Sequence, residues 1–445
     1  MKTADLLIIG AGPGGYETAL LAARRGLHTV LVERRWLGGT CLNEGCIPTK
    51  CLCHSAETAA AQTGFSQAML RKDSVVDTLK SGIATMLKTA GVEVVWGEAS
   101  FCGAHTVAVA GARDAEGNPC DSQYAAANII IATGSEAKRL PVEGASLPGV
   151  MTSRELLGCE TLPESLCIVG GGVVGMEFAS VCAAFGCKVT VVEFMPEILP
   201  GFDRDMAKRL RTSMKKRGVE FHVASAVTGI SETGDGPLRV DFSSKGKDES
   251  VSAAKVLMAT GRAANTCGLN LEACGVACAK RGIEVDSNFM TSVRGVYAVG
   301  DVNGLVQLAH VAKAQGRCAL AHILGEESHI DFNIIPAAVF TAPELAMVGL
   351  TQEACSQQGV AFETHKAFYR ANGKALSADE PEGLVKLIAT PQGKVIGAHI
   401  LGAHAADMIH EMAMLMHFGG SLGDIAQTIH AHPTLSEIVL NAAES

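Results

Sequence analysis

Short, almost unbroken apolar runs alternate with glycine-rich turns along this chain, and longer amphipathic stretches separate them. Residues 5–9 form one such run, too short for a buried helix and followed at once by glycines, so they read as a buried strand. Gly10-x-Gly12-x-x-Gly15 follows, then an alanine- and leucine-rich helix to about Arg25, then a strand Thr29-Val30-Leu31-Val32 ending at Glu33. The same pattern returns later. Leu166–Val169 leads into Gly170-x-Gly172-x-x-Gly175, a helix, and Val189–Val192 ending at Glu193. Between the copies the pattern predicts a helical region over about 46–90 and strands at 92–99 and 106–110. A turn-rich tip at 111–123 and a buried strand at 128–132 ending in Thr133-Gly134-Ser135 complete this part. Pro141, Gly144, Pro148 and Gly149 mark a domain crossing. The second copy closes at 256–262, echoing 131–134, and a strand at 295–301 with a helix from about Leu308 to Leu324 returns to the first domain. From about 330 strands at 337–340, 363–369, 383–389 and 395–400 mix with helices after 404 and 434, without a glycine loop, which reads as an assembly domain.

Each glycine loop sits between a strand and a helix, with an acid about 20 residues on. The glycines let the backbone approach a pyrophosphate, and the helix N-terminus stabilises its charge. Glu33 and Glu193 are placed to accept from ribose hydroxyls, and an acid at Glu193 favours the free 2′-hydroxyl of NAD over the phosphate of NADP. Two such sites imply two cofactors, or one cofactor and one co-substrate. The predicted class is therefore α/β, with two Rossmann-like dinucleotide-binding domains and a C-terminal α+β dimerisation domain.

Composition narrows the partners. The 445 residues are 48% hydrophobic and 19% charged, with a net charge of −9 and no long charged runs. Such a surface does not favour nucleic acid or an acidic membrane. No apolar run reaches the ~18 residues of a membrane span, and the start reads as a first strand rather than a signal peptide. The 15 cysteines are scattered and odd in number, which fits a reducing compartment and not a secreted disulfide framework. A cytoplasmic location is expected.

One stretch carries different chemistry: Gly38-Gly39-Thr40-Cys41-Leu42-Asn43-Glu44-Gly45-Cys46-Ile47-Pro48-Thr49-Lys50. Pro48 suits the first turn of a helix, which puts Cys46 at a helix N-terminus where a thiolate is favoured. A turn through Asn43-Glu44-Gly45 would bring Cys41 and Cys46 within disulfide range. The pair reads as a dithiol that opens and closes. Its spacing recurs at Cys182 and Cys187 and at Cys46 and Cys51, so spacing alone does not single it out. Cys51, Cys53, Cys182 and Cys187 read as packing residues, and Cys274 and Cys278 lack a histidine pair for a metal site. No metal is expected.

Taken together, these motifs resemble the pyridine nucleotide–disulfide oxidoreductases, and most the dihydrolipoamide dehydrogenases among them. The likeness spans essentially the whole chain. It is carried by GAGPGG at 10–15, GGTCLNEGCIPTK at 38–50, GGGVVGMEFA at 170–179, ATGR at 259–262, YAVGD at 297–301, FTAPELAMVG at 340–349 and HAHPTLSE at 430–437. The resemblance implies a homodimer with bound FAD, NAD+ as co-substrate and an active site shared between subunits. It divides the chain into an FAD-binding domain at 1–146, an NAD-binding domain at 147–264, a return segment at 265–329 and a dimerisation domain at 330–445. It implies Cys41 as the interchange thiol and Cys46 as the charge-transfer thiolate. Lys50 would stand beside the flavin with Glu177 as its partner, and His432 would be the general base oriented by Glu437. The FAD site would comprise Gly10, Gly12, Gly14, Gly15, Glu33, Gly39, Thr40, Lys50, Ala99, Thr133, Gly134, Asp301 and Ala309. The NAD site would comprise Gly170, Gly172, Val173, Val174, Gly175, Glu193, Val227 and Gly261.

The implied reaction is oxidation of protein-bound dihydrolipoamide through Cys41 and Cys46, with hydride passed through FAD to NAD+. Lipoyl domains and the acyltransferase core of a 2-oxoacid dehydrogenase complex, or the lipoyl carrier of glycine cleavage, would be the partners. A glutathione-reductase-like enzyme would need arginines after the second strand, where Phe194 and Pro200 stand, and a mercuric reductase would need a C-terminal cysteine pair, whereas the last cysteine is Cys355. Another NAD(P)H-dependent disulfide reductase, or a non-catalytic flavoprotein scaffold or NADH sensor, are the alternatives. Three local readings are open to test. Thr434-Leu435-Ser436-Glu437 is also a capping-box pattern, in which Glu437 would cap a helix and not serve His432 equally well. His430 reads as packed or solvated. Glu44 is expected to oppose thiolate formation at the pair.

Overall fold

The computed structural model describes residues 1–58, 64–234 and 236–445. Two compact units emerge. The first comprises Met1–Cys51, Met69–Lys138 and Gly261–Ile330, and the second Leu52–Ala68, Arg139–Thr260 and Asp331–Ser445.

In the first unit the strand Lys2–Ile9 is central, with Leu6, Leu7 and Ile8 fully buried. It pairs in parallel with Thr29–Glu33 on one side and Gln123–Ile131 on the other. Glu93–Gly103 and Val296–Ala298 extend the parallel sheet at its two ends. Thr106–Arg113 runs antiparallel to both Glu93–Gly103 and Gln123–Ile131. Strands buried on both faces read as unbroken apolar runs, which is why the sequence pattern finds them. The helix Pro13–Arg24 begins at Gly12 with Pro13 in its first turn, and the helix Ala309–Ile323 packs along it.

The second unit repeats the plan. Its parallel sheet runs Glu220–His222, Lys188–Val192, Ser165–Val169, Lys255–Met258, Val150–Met151, with the helix Val173–Ala184 after the glycine loop. A separate antiparallel sheet comprises Ser225–Glu232, Leu238–Ser244 and Lys247–Ala253. The same unit holds a five-stranded antiparallel sheet ordered Ala337–Val339, Leu345–Gly349, Val395–Leu401, Leu384–Ala389, Glu363–Phe368. Helices Ala405–His417, Leu422–Gln427 and Glu437–Ala443 bring Ile409, Met412, Ile425 and Ile438 onto its apolar core. Lys386, 1% exposed on this sheet, donates to Asp203 at 2.7 Å, whose other oxygen caps the helix Arg204–Lys216.

Two local expectations change. The helical region over 46–90 is two helices, Cys46–Glu57 and Phe65–Thr89, and residues 59–63 lie outside the described residues. The strand Leu345–Gly349 and the helix Gln352–Gln358 were not expected. Their apolar runs are too short to show a period. The compact units divide the chain at 138/139 and 260/261, among other points, a few residues before the segment borders at 146 and 264. The reason is a clip within the first unit, in which Ser135–Ala137 pairs antiparallel with Arg262–Ala264.

Candidate active site

The redox stretch folds as two helices. Gly39–Glu44 is a short helix rather than the expected turn, and the break is confined to Gly45, after which Cys46–Glu57 begins. This segment is seated on the first glycine loop. Gly38 N–H donates to Ala11 O at 2.9 Å. Gly39 has φ +56°, and a Cβ there would lie 2.6 Å from Gly12 Cα, so only glycine permits the approach.

Cys41 and Cys46 are both in the thiol form here, and their side chains hydrogen-bond each other. That bond is the main reason the Cys41 thiol is held well above the ordinary thiol range, with burial next and the charge of Lys50 opposing. The helix N-terminus favours the thiolate at Cys46. Tyr16 also faces the pair. Burial, then Glu17, then Cys41 push its hydroxyl up to about 12. The glycine motif hid this residue from the sequence reading. The remaining buried thiols behave differently: burial alone pushes Cys167 up to about 12 and Cys187 up to about 11.

The first glycine loop fits a dinucleotide. Gly12 caps its helix without a side-chain bond, and space is open where a Cβ would stand. Glu33 is 8% exposed and accepts from Ala11 N–H and Arg35 N–H, both at 2.7 Å. A cleft beside it is lined by Gly10, Glu33, Ala99, Thr133 and Asn265. Gly15 and Gly14 are buried in the first turn of the helix. Thr133 Oγ1 donates to Asn265 O at 2.7 Å, and Gly134 O accepts from Asn265 N–H at 2.9 Å. Asp301 lies in the turn Gly300–Asn303, just before the helix that Ala309 opens. Its carboxylate accepts from Ser135 and stands 3.8 Å from Arg262, whose guanidinium donates to Ser135 O at 2.6 Å. Ser135 and Arg262 are missing from the sequence reading because they are 127 residues apart and only the strand clip joins them.

The second loop has the same form. Gly172 caps the helix at Val173 and Val174 without a side-chain bond, and its Cβ position is also open. Gly170 leads in and Gly175 is buried. Glu193 accepts from Gly171 N–H and from Met195 N–H, the latter at 2.6 Å. Val227 packs on the apolar core beneath this sheet. Gly261 belongs to the first unit, where its carbonyl accepts from Lys138 N–H at 2.9 Å. Glu177 is 3% exposed and accepts from Phe340 N–H at 3.0 Å.

His432 and Glu437 are brought together. Glu437 Oε1 meets His432 Nδ1 at 2.9 Å while Oε2 accepts from Thr434 N–H at 2.8 Å. The sequence reading held that one geometry could not serve the backbone and His432 equally well. The structure corrects this, because the two oxygens divide the tasks. Thr434 N–H and then the bond from His432 hold the Glu437 carboxyl below the usual carboxylate range. The acceptor at Nδ1 selects the Nδ1–H tautomer and leaves Nε2 as a base. The His432 side chain is 80% exposed. His430, two residues earlier, meets Glu411 Oε1 through Nε2 at 3.1 Å.

Known proteins resemble this chain along its length. Residues 4–316 match the family described as pyridine nucleotide-disulphide oxidoreductase, and residues 335–443 match its dimerisation domain. A dihydrolipoyl dehydrogenase of Bacillus subtilis is 40% identical over 457 residues, covering 99% of this chain and 96% of that protein. One from Haloferax volcanii is 38% identical with the same coverage. Among solved structures, the HOCl-induced flavoprotein disulfide reductase RclA from Escherichia coli, as its Cu(II) complex, superposes with a TM-score of 0.90 at 31% identity, covering 100% of this chain and 99% of that one. FAD and NAD(H) are the cofactors of this enzyme class, and the two glycine loops fit them. With a redox pair, two dinucleotide sites and both family segments in place along its length, the chain belongs to the pyridine nucleotide–disulphide oxidoreductases.

Proposed function

We propose that this enzyme oxidises protein-bound dihydrolipoamide to lipoamide and delivers the electrons to NAD+. The observation that carries the reading is the His432–Glu437 pair, whose exposed Nε2 can take a proton from a thiol brought by a large partner. His432 removes that proton, and the substrate thiolate attacks Sγ of Cys41 in the oxidised Cys41–Cys46 pair. A substrate–Cys41 disulfide forms and Cys46 leaves as a thiolate, stabilised by its helix N-terminus. The second substrate thiol then attacks the mixed disulfide, closing the lipoamide ring and returning Cys41 as a thiol. Bound FAD supplies the route by which the two electrons reach NAD+.

In this reading Gly10, Gly12, Gly14, Gly15, Glu33, Gly39, Thr40, Ala99, Thr133, Gly134, Asp301 and Ala309 hold FAD, with Lys50 paired to Glu177 beside the flavin. Gly170, Gly172, Val173, Val174, Gly175, Glu193, Val227 and Gly261 receive NAD+. The dimerisation domain supports a homodimer, in which His432 serves the partner's Cys41. Lipoyl domains of a 2-oxoacid dehydrogenase complex or of glycine cleavage are the proposed donors, in the cytoplasm. The four-segment division at 146, 264 and 329 belongs to the same proposal. No helix among the described residues is long and apolar enough to cross a membrane.

Steady-state turnover of purified protein with NAD+ and dihydrolipoamide, beside NADPH and glutathione disulfide, tests this. The expected result is NAD-linked turnover, abolished in Cys41→Ser and lowered by roughly 10²-fold or more in His432→Ala. Turnover only with NADPH and another disulfide would move the enzyme to a neighbouring reductase. Bound flavin without turnover in either assay would favour a scaffold or NADH sensor.

A further inference from the structure

One lysine of the C-terminal sheet is sealed from solvent. Lys386 lies within the strand Leu384–Ala389, opposite Lys366 on one neighbouring strand and His399 on the other. Strand alternation sends Val385 and Leu387 into the apolar core beneath the last helices and turns Lys386 to the other face. There its Nζ donates to Asp203 Oδ2 at 2.7 Å and to Gln352 Oε1 at 2.9 Å. Asp203 is wholly buried. Its second oxygen accepts from Asp205 N–H at 3.1 Å and from Met206 N–H at 3.3 Å, which caps the helix Arg204–Lys216. A buried lysine–carboxylate pair adds little stability beside an apolar pair of the same shape. What this pair does add is a fixed place for Asp203.

Asp203 ends the loop that starts at Glu193, the acid of the second glycine motif. Among residues 194–202 only Ile198 and Leu199 are buried, and both meet the glycine motif itself. Leu199 N–H donates to Gly171 O at 2.8 Å, and Ile198 Cγ2 would stand 3.1 Å from a Cβ on Gly171. Gly171 N–H in turn donates to Glu193. Leu199 has φ +52°, a conformation that a leucine adopts only where its surroundings impose it. Glu197 accepts from Arg211 Nε at 2.6 Å and from its terminal nitrogen at 2.8 Å, tying the loop back onto the capped helix. All of these residues lie in one compact unit. We propose that Lys386 is a positioning residue for the second dinucleotide site: by holding Asp203 it fixes the helix and the loop that seat Gly171 and Glu193, and so raises the affinity for NAD+. This rests on the reading that the second glycine motif receives NAD+.

The test uses full-length, FAD-loaded protein as native enzyme, as Lys386→Met and as the double variant Lys386→Met with Asp203→Ser. Met keeps most of the lysine stem, and Ser keeps a helix cap while removing the carboxylate. The Kd for NAD+ on the oxidised enzyme, by titration calorimetry, is measured beside Tm, flavin content and the KM values for NAD+ and dihydrolipoamide. Lys386→Met leaves Asp203 buried without its partner, so Tm should fall, and it should recover in the double variant. Kd and KM for NAD+ should rise about fivefold or more in both variants, with flavin content and the KM for dihydrolipoamide as in the native enzyme. A Kd for NAD+ that returns to its native value together with Tm in the double variant would overturn the proposal, and so would equal rises in the two KM values. Should Lys386→Met fail to fold, the double variant decides by its Kd. Native enzyme that does not bind NAD+ would sink the reading of the second glycine motif and this proposal with it. Equal binding of NAD+ by native enzyme and the double variant would sink the role of Lys386 alone.

Discussion

The two glycine loops are near copies, yet their helices meet different surroundings. At the third loop position after the strand both have a capping glycine, Gly12 and Gly172, with open space above it. Two residues on they diverge. Gly14 lies under the helix Ala309–Ile323, where a Cβ would come within 3.3 Å of Ala312 O and of Val299. Its counterpart is Val174, 37% exposed. The first helix is thus clamped by a returning segment, with Gly316 packed more closely still on Thr18, and the second is open on that side. In the proposed assignment the same motif serves a resident group in one place and a visiting one in the other. A clamp suits FAD, which stays, and an open face suits NAD+, which must enter and leave each turnover.

Substitutions at these positions can break or sharpen the contrast. The largest effect is expected for Gly14→Val. The side chain would be driven into Ala312 and Val299, at an overpacking cost of roughly 1–3 kcal/mol or more. Loss of bound flavin and a lowered Tm in purified protein would show it, and full flavin content would refute the clamp. Next come the two acids. Glu193→Gln weakens charge-assisted bonds to Gly171 and Met195. Hydrogen bonds to charged groups contribute about 1.5–3 kcal/mol, so KM for NAD+ should rise about tenfold with flavin content unchanged. Glu33→Gln should do the reverse, and a rise in KM for NAD+ with full flavin there would exchange the roles of the loops. Smallest is Val174→Gly. It should cost only the ~0.5–1 kcal/mol of a helical glycine, seen in urea melts, with flavin content unchanged.

Both loops were legible because they combine local signals: an unbroken apolar strand, glycines at fixed offsets and a terminal acid. The redox pair was legible for a similar reason, since Pro48 marks the helix that Cys46 opens. What was hidden depends on distant partners. Ser135, Arg262 and Asp301 converge only because two short strands pair across the sequence. Glu411 reaches His430 across 19 residues and two helices. The turn expected through Asn43-Glu44-Gly45 is instead the end of the helix Gly39–Glu44; the poor helix propensity of Gly39 and Asn43 is overridden by the seat of this segment on Ala11 and Gly12. At Glu437 the capping pattern and the dyad looked like rivals, because a sequence motif does not show that a carboxylate can spend one oxygen on each.

The buried thiols have a consequence for wiring. A protein that shuttles electrons through sulfur carries thirteen other cysteines besides Cys41 and Cys46, and every additional thiolate would be a short circuit. Cys167, Cys182 and Cys187, sealed in the second nucleotide-binding sheet and helix, have their proton affinities raised by burial. At neutral pH they stay protonated and do not exchange. The apolar core that folds the domain also insulates these three sulfur atoms from the redox pair.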